Sequence, residues 1–140
     1  YVKNWELVTY QKKEIYEETQ YFTAKNERVR SKSEIIIADT LKQEGIPYRY
    51  EYPVWLNGFG TVYPDFTVLN IRTRKEMYWE HFGMMDNEHY VDNAMYKLST
   101  YEKNGIYLGV NLFVTYETSK RTLNTRALDE MIRKLFGKVI

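Results

Sequence analysis

Residues 63–82 read Tyr63-Pro64-Asp65-Phe66-Thr67-Val68-Leu69-Asn70-Ile71-Arg72-Thr73-Arg74-Lys75-Glu76-Met77-Tyr78-Trp79-Glu80-His81-Phe82. Two runs rich in β-branched and aromatic residues flank a polar stretch, Asn70 to Lys75. This pattern predicts an antiparallel hairpin, one strand about Thr61 to Leu69 and the next about Glu76 to Phe82. A turn centred between Arg72 and Thr73 sets Asp65 directly opposite Glu80. Opposed residues project to one face with Cβ atoms about 5 Å apart. Two carboxylates at that distance repel, and a divalent cation between them removes the objection. Asp is disfavoured in strands, and Pro-Asp inside one is unusual without a turn or a function. The alternative for each acid taken singly is a solvated strand position, and a one-residue slip in register would separate the pair.

Upstream of the hairpin, Ser31-Lys32-Ser33-Glu34 has the form of a capping box, with Ser31 as N-cap and Glu34 at N3. Ile37, Ala38 and Leu41 then form an apolar face, and Gly45 closes the helix. Glu34 shares that face. It is either the capping acid alone or a third carboxylate at the edge of the core. Tyr48-Arg49-Tyr50-Glu51-Tyr52-Pro53-Val54 alternates strictly and predicts a first strand, with a turn at Asn57-Gly58. Downstream, a helix is expected from a cap at Asp86 or Asn87 to Gly105, apolar at Tyr90, Val91, Ala94, Leu98 and Tyr101. Leu108 to Tyr116 predicts a mostly buried fourth strand. A last helix from Asn124 or Thr125 buries Leu128, Met131, Ile132 and Leu135. From Ser31 onward the order is helix, three strands, helix, strand, helix. That order implies an α/β domain over 31–140, a mixed four-stranded sheet flanked by helices. Residues 1–30 carry Trp5, Val8, Ile15 and Phe22 at helical spacing and read as a helical N-terminal extension that packs weakly.

Composition narrows the chemistry. The 140 residues suffice for one domain with a full core. The chain has no cysteine, which excludes disulfides, thiolate zinc sites and thiol nucleophiles. Its two histidines, His81 and His89, make a histidine-based metal site an unpromising reading. Carboxylates remain. A net charge of +1 confines any nucleic-acid binding to local patches. Fourteen tyrosines suit strands and also suit a surface that stacks on a polymer. No apolar run approaches the roughly 18 residues of a membrane span. The chain starts at Tyr1 without a signal-peptide pattern, so the expectation is a cytoplasmic fragment of a longer protein.

Tyr63-Pro64-Asp65-Phe66, the hairpin, and Tyr78-Trp79-Glu80 resemble the core motif of the PD-(D/E)XK nuclease superfamily. The element order over about residues 31–117 resembles its restriction-endonuclease-like fold. The resemblance implies magnesium or manganese bound by Glu34, Asp65 and Glu80, and phosphodiester hydrolysis, with DNA the expected partner. The family's lysine belongs two residues after Glu80, where this chain has Phe82. Some members supply it from the following helix, and Lys97 stands there. Lys97 and Tyr101, one helical turn apart, resemble the glutamine-to-tyrosine helix motif of the family's recombination-type nucleases. The alternative for Lys97 is an edge lysine that snorkels. His81 is a second substitute, although a regular strand turns it away from Glu80's face.

Two basic clusters are candidate phosphate grips: Arg28, Arg30 and Lys32 before the first helix, and Arg72, Arg74 and Lys75 in the hairpin turn. Such clusters are more often solvated loops than phosphate grips, because loops are generally polar. Paired carboxylates also serve glycosidases, but no tryptophan-lined sugar cleft is apparent. The competing function is a non-catalytic nucleic-acid-binding or interaction module of the same fold that has lost the lysine.

Overall fold

A computed structural model describes residues 1–18 and 20–137. The expected domain end at 140 lies outside them. The central sheet follows from the hairpin. Strand β6 (Phe66–Asn70) pairs antiparallel with β7 (Lys75–Phe82) in the register Phe66↔Trp79 through Asn70↔Lys75. This is the register that points Asp65 at Glu80. Strand β3 (Tyr48–Tyr50) joins the other edge of β6 antiparallel, and β8 (Leu112–Tyr116) joins β7 in parallel. The result is a mixed four-stranded sheet in the order β3-β6-β7-β8.

Helices cover both faces. Helix α2 (Lys32–Gln43) starts on its Ser31 cap, whose hydroxyl accepts from the Glu34 amide at 3.2 Å. Past its last turn, Gly45 takes φ +72°, a conformation costly for any residue with a Cβ. Helix α4 (Thr125–Phe136) starts on Asn124. Ile37, Ala38 and Leu41 of α2 and Leu128, Ile132 and Phe136 of α4 pack with Tyr48, Tyr50, Phe66, Val68 and Trp79 of the sheet. The opposite face carries helix α3 (Glu88–Lys103), capped by Asn87. It also carries a small hairpin of β4 (Val54–Leu56) and β5 (Gly60–Val62). There Leu56, Val62, Tyr101, Ile106 and Leu112 form a second core. No described helix is long and apolar enough to cross a membrane.

The structure departs from the sequence reading in four places. The expected strand from Tyr48 to Val54 breaks after Tyr50, because Glu51 takes φ +51° and Pro53 cannot donate to a ladder. The expected strand from Thr61 to Leu69 is two strands, β5 and β6, separated by Tyr63-Pro64-Asp65. The fourth strand begins only at Leu112, and Leu108 and Val110 are exposed in the loop before it. Among the described residues of 1–30, only α1 (Val2–Glu6) is helical. A short hairpin of β1 (Tyr21–Phe22) and β2 (Arg28–Val29) follows. Neither end of this segment is loosely attached. Val29 is fully buried beside α2, and Trp5 is buried against the Arg49 guanidinium, 4.0 Å from its ring.

Candidate active site

Pro64 has no N–H, and the strand break at 63–65 frees Asp65 from the ladder just where β6 begins. Its carbonyl accepts from the Glu51 amide at 3.1 Å, and its carboxylate accepts from the His81 amide at 2.7 Å. Asp65 therefore extends the β6–β7 pairing with its side chain, directed to the face that α3 covers. Glu80 lies on the same face and is almost fully buried, 1% exposed. Two groups of α3 meet it. Lys97 Nζ stands 2.7 Å from Glu80 Oε2, and the Tyr101 hydroxyl donates to the same oxygen at 2.5 Å. The one-turn spacing of Lys97 and Tyr101 is what lets both reach one carboxylate.

Glu34 approaches Asp65 from α2. Its carboxylate accepts from the Arg30 amide at 2.8 Å and from the Tyr50 hydroxyl at 3.0 Å. The reciprocal arm of the capping box thus lands one residue before the N-cap. Both readings of Glu34 hold at once, since it caps the helix and also comes close to Asp65. Carboxylate oxygens of Glu34, Glu51 and Asp65 lie within 4.8 Å of one another. Glu51 is the acid that sequence reasoning passed over as an ordinary member of an alternating strand. Its chain break turns it inward, where Arg30 Nε holds it at 2.6 Å. The only sequence hint was an acid embedded between tyrosines just ahead of a proline.

The electrostatics follow from this crowding. Burial, then the charges of Glu80 and Glu34, push the Asp65 carboxyl well above the usual range, against the pull of Lys97 and the His81 amide. Burial also raises Glu34, although the Arg30 amide and the Tyr50 hydroxyl oppose it. Burial alone depresses a lysine, but Glu80 and Asp65 outweigh it and Lys97 is raised. Lys97 is therefore a firm cation. Burial and the adjacent Glu80 raise Tyr101 too, so its hydroxyl stays a donor. Asp65, Glu80, Phe82, Tyr90, Asn93 and Lys97 surround a cavity of about 260 Å³. The clustered carboxylates of Glu34, Glu51 and Asp65 offer hard oxygen donors, while Glu80 lies outside that cluster with its Oε2 held by Lys97 and Tyr101. The clustered oxygens fit magnesium or manganese.

Other expected participants lie elsewhere. Arg72, Arg74 and Lys75 occupy the turn at the far end of the hairpin, five strand residues or about 17 Å from Asp65. They do not join the site. Arg72 instead donates to the carbonyls of Lys134 and Leu135 at the end of α4, at 3.2 and 2.6 Å, and Arg74 stacks over Tyr1. Arg30, in the upstream basic cluster, is committed to Glu51 and Glu17. His81 bonds Thr115 through Nδ1 and Glu117 through Nε2, each at 2.7 Å. Phe82 packs edge-on against Tyr90.

The chain is 36% identical over 116 residues to an uncharacterized protein of Methanocaldococcus jannaschii. The match takes in 83% of this chain and 9% of that relative, so the chain spans about a tenth of the relative's length. No family model and no solved structure matches the chain.

Proposed function

We propose that this domain is a magnesium-dependent nuclease of the restriction-endonuclease-like fold, acting on DNA as part of a longer cytoplasmic protein. One observation carries the reading. Lys97, delivered from α3, lines the same cavity as Asp65 and Glu80 and contacts Glu80 at 2.7 Å. On this reading Lys97 substitutes, from another element, for the cation that Phe82 does not supply. Asp65, Glu80 and Glu34 are the residues to hold the metal. The chemistry supplied by magnesium or manganese there is Lewis-acid neutralisation of the scissile phosphate. Lys97 adds a preorganised positive charge toward the phosphate oxygens. Tyr101 acts as a positioning residue by fixing Glu80. Phe82 and Tyr90 form an apolar wall that limits water around these charges.

A second reading has its own support. Lys97 and Tyr101 together satisfy Glu80 without any metal, as suits a non-catalytic binding module. Cleavage of DNA with magnesium and none with chelator separates the two. Removing one transition-state contact typically slows reaction by roughly a hundredfold or more. Lys97→Ala is therefore expected to lose that much cleavage at saturating magnesium while melting as a folded protein. Near-normal cleavage by the folded variant rules out Lys97. Absence of cleavage by the intact domain, on any nucleic acid tried, selects the binding module.

A further inference from the structure

Next to the acid cavity lies a second one of about 420 Å³, between the β4–β5 hairpin and α3. Asn93 and Lys97 line both cavities, so the two adjoin. The walls of the second are aromatic. Phe59 and Tyr96 pack against each other in its wall, with ring centroids 6.1 Å apart and planes tilted by 42°. Tyr63 contributes a third ring, and Lys13 Nζ sits 5.6 Å from its centroid. Trp55 is paired with Thr61 across the small hairpin, so it projects to the face on which Thr61 lines the cavity. Phe59 is 44%, Tyr96 61% and Trp55 72% exposed. Each leaves part of its ring open to solvent, and Lys13 and Lys97 also line the cavity.

We infer that this face binds unpaired bases of a single-stranded nucleic acid and leads the strand into the acid site. Every base offers a flat face to an aromatic ring, and stacking needs no sequence. A duplex hides those faces between neighbouring pairs, so the exposed rings select an unpaired segment. Lys13 suits a phosphate beside a stacked base, and Lys97, paired with Glu80, suits one that reaches the acid site. The inference rests on the nuclease reading for where the strand goes, but its binding part stands separately.

The test is fluorescence anisotropy of the full chain in chelator, with labelled oligo-dT, oligo-rU and a DNA duplex of equal length. Single strands of either sugar are expected to bind about tenfold or more tighter than duplex. Phe59→Ala and Tyr96→Ala are each expected to lose about tenfold, the scale of one lost stacking contact. Tyr96→Phe keeps the ring and retains affinity. Phe59→Leu and Tyr96→Leu preserve apolar bulk and guard against loss through misfolding, which thermal melts also monitor. Equal or tighter duplex binding, or unchanged single-strand affinity in the folded ring-less variants, overturns the inference and leaves a protein partner to explain the patch. No binding to any strand overturns it too. Cleavage in magnesium is scored separately. Ring-dependent binding without cleavage keeps this inference and removes the nuclease reading, whereas cleavage with ring-independent binding does the reverse.

Discussion

Asp65 is held where an isolated carboxylate is costly, against Glu80 on one side and Glu34 on the other. Its raised pKa has a definite consequence for stability. The native state keeps a proton that the unfolded chain has released, so stability falls as pH rises from the unfolded value near 3.9 through the higher folded one. The same sign applies to Glu34. Asp65→Asn preserves an acceptor for the His81 amide and removes the conflict. In chelator, its melting temperature above that pH window is therefore expected to equal or exceed the parent's, with a flatter pH dependence. Manganese is expected to raise the parent's melting temperature and leave the variant's unchanged, because only the parent gains binding energy in the native state. Calorimetric titration with manganese checks the same point. Undiminished binding by Asp65→Asn sinks the site assignment.

Among the elements, α4 shows how a basic residue that looks available for a ligand is used for architecture. The last carbonyls of a helix lack intrahelical donors and carry partial negative charge. Arg72, carried in by the β6–β7 turn, donates to two of them. Arg72→Ala is expected to cost about 1 kcal/mol of stability, the scale of such a charge-assisted contact at a helix end. It should leave nucleic-acid affinity and its salt dependence unaltered. Chemical denaturation and a salt series measure the two effects. A fall in affinity with unchanged stability would restore Arg72 to substrate binding. The strand breaks at Glu51 and at Tyr63-Pro64-Asp65 belong to this scale as well. Each ends a ladder early, and each turns a carboxylate toward the same point.

For the whole molecule, a net charge of +1 means that no broad field gathers a polyanion. The proposed strand binding would then rest on the few cations that line the two cavities, Lys13 and Lys97. Two phosphate contacts at roughly −0.7 each give a log–log salt slope for single strands of about −1.4. A slope near zero contradicts phosphate contact altogether. A much steeper one requires cations outside these cavities. Helix α2 supplies Glu34, the sheet supplies Asp65 and Glu80, and α3 supplies Lys97, all at one end of the sheet.

What the sequence alone determined is what depends on near neighbours. The Ser31 cap, the other two helix starts to within one residue (Asp86 or Asn87, Asn124 or Thr125), the three main helices and the register of the β6–β7 hairpin follow from turn position and local periodicity. Hence the opposition of Asp65 and Glu80 was readable, and so was the spacing that puts Lys97 and Tyr101 on one helical stripe. Tertiary structure decided the rest. Whether that stripe faces Glu80 or solvent depends on which side of the sheet α3 crosses, a choice set by burying Tyr101, Ile106 and Leu112 together. The inward turn of Glu51 depends on Arg30, twenty-one residues away, and on a left-handed backbone that no alternation pattern encodes. The seating of Trp5 on Arg49 and of Arg72 on α4 likewise joins distant segments. Local rules fix periodicity and caps because they act within a few bonds. Partners across the fold are chosen only when the chain as a whole minimises its exposed apolar surface and its unpaired charge.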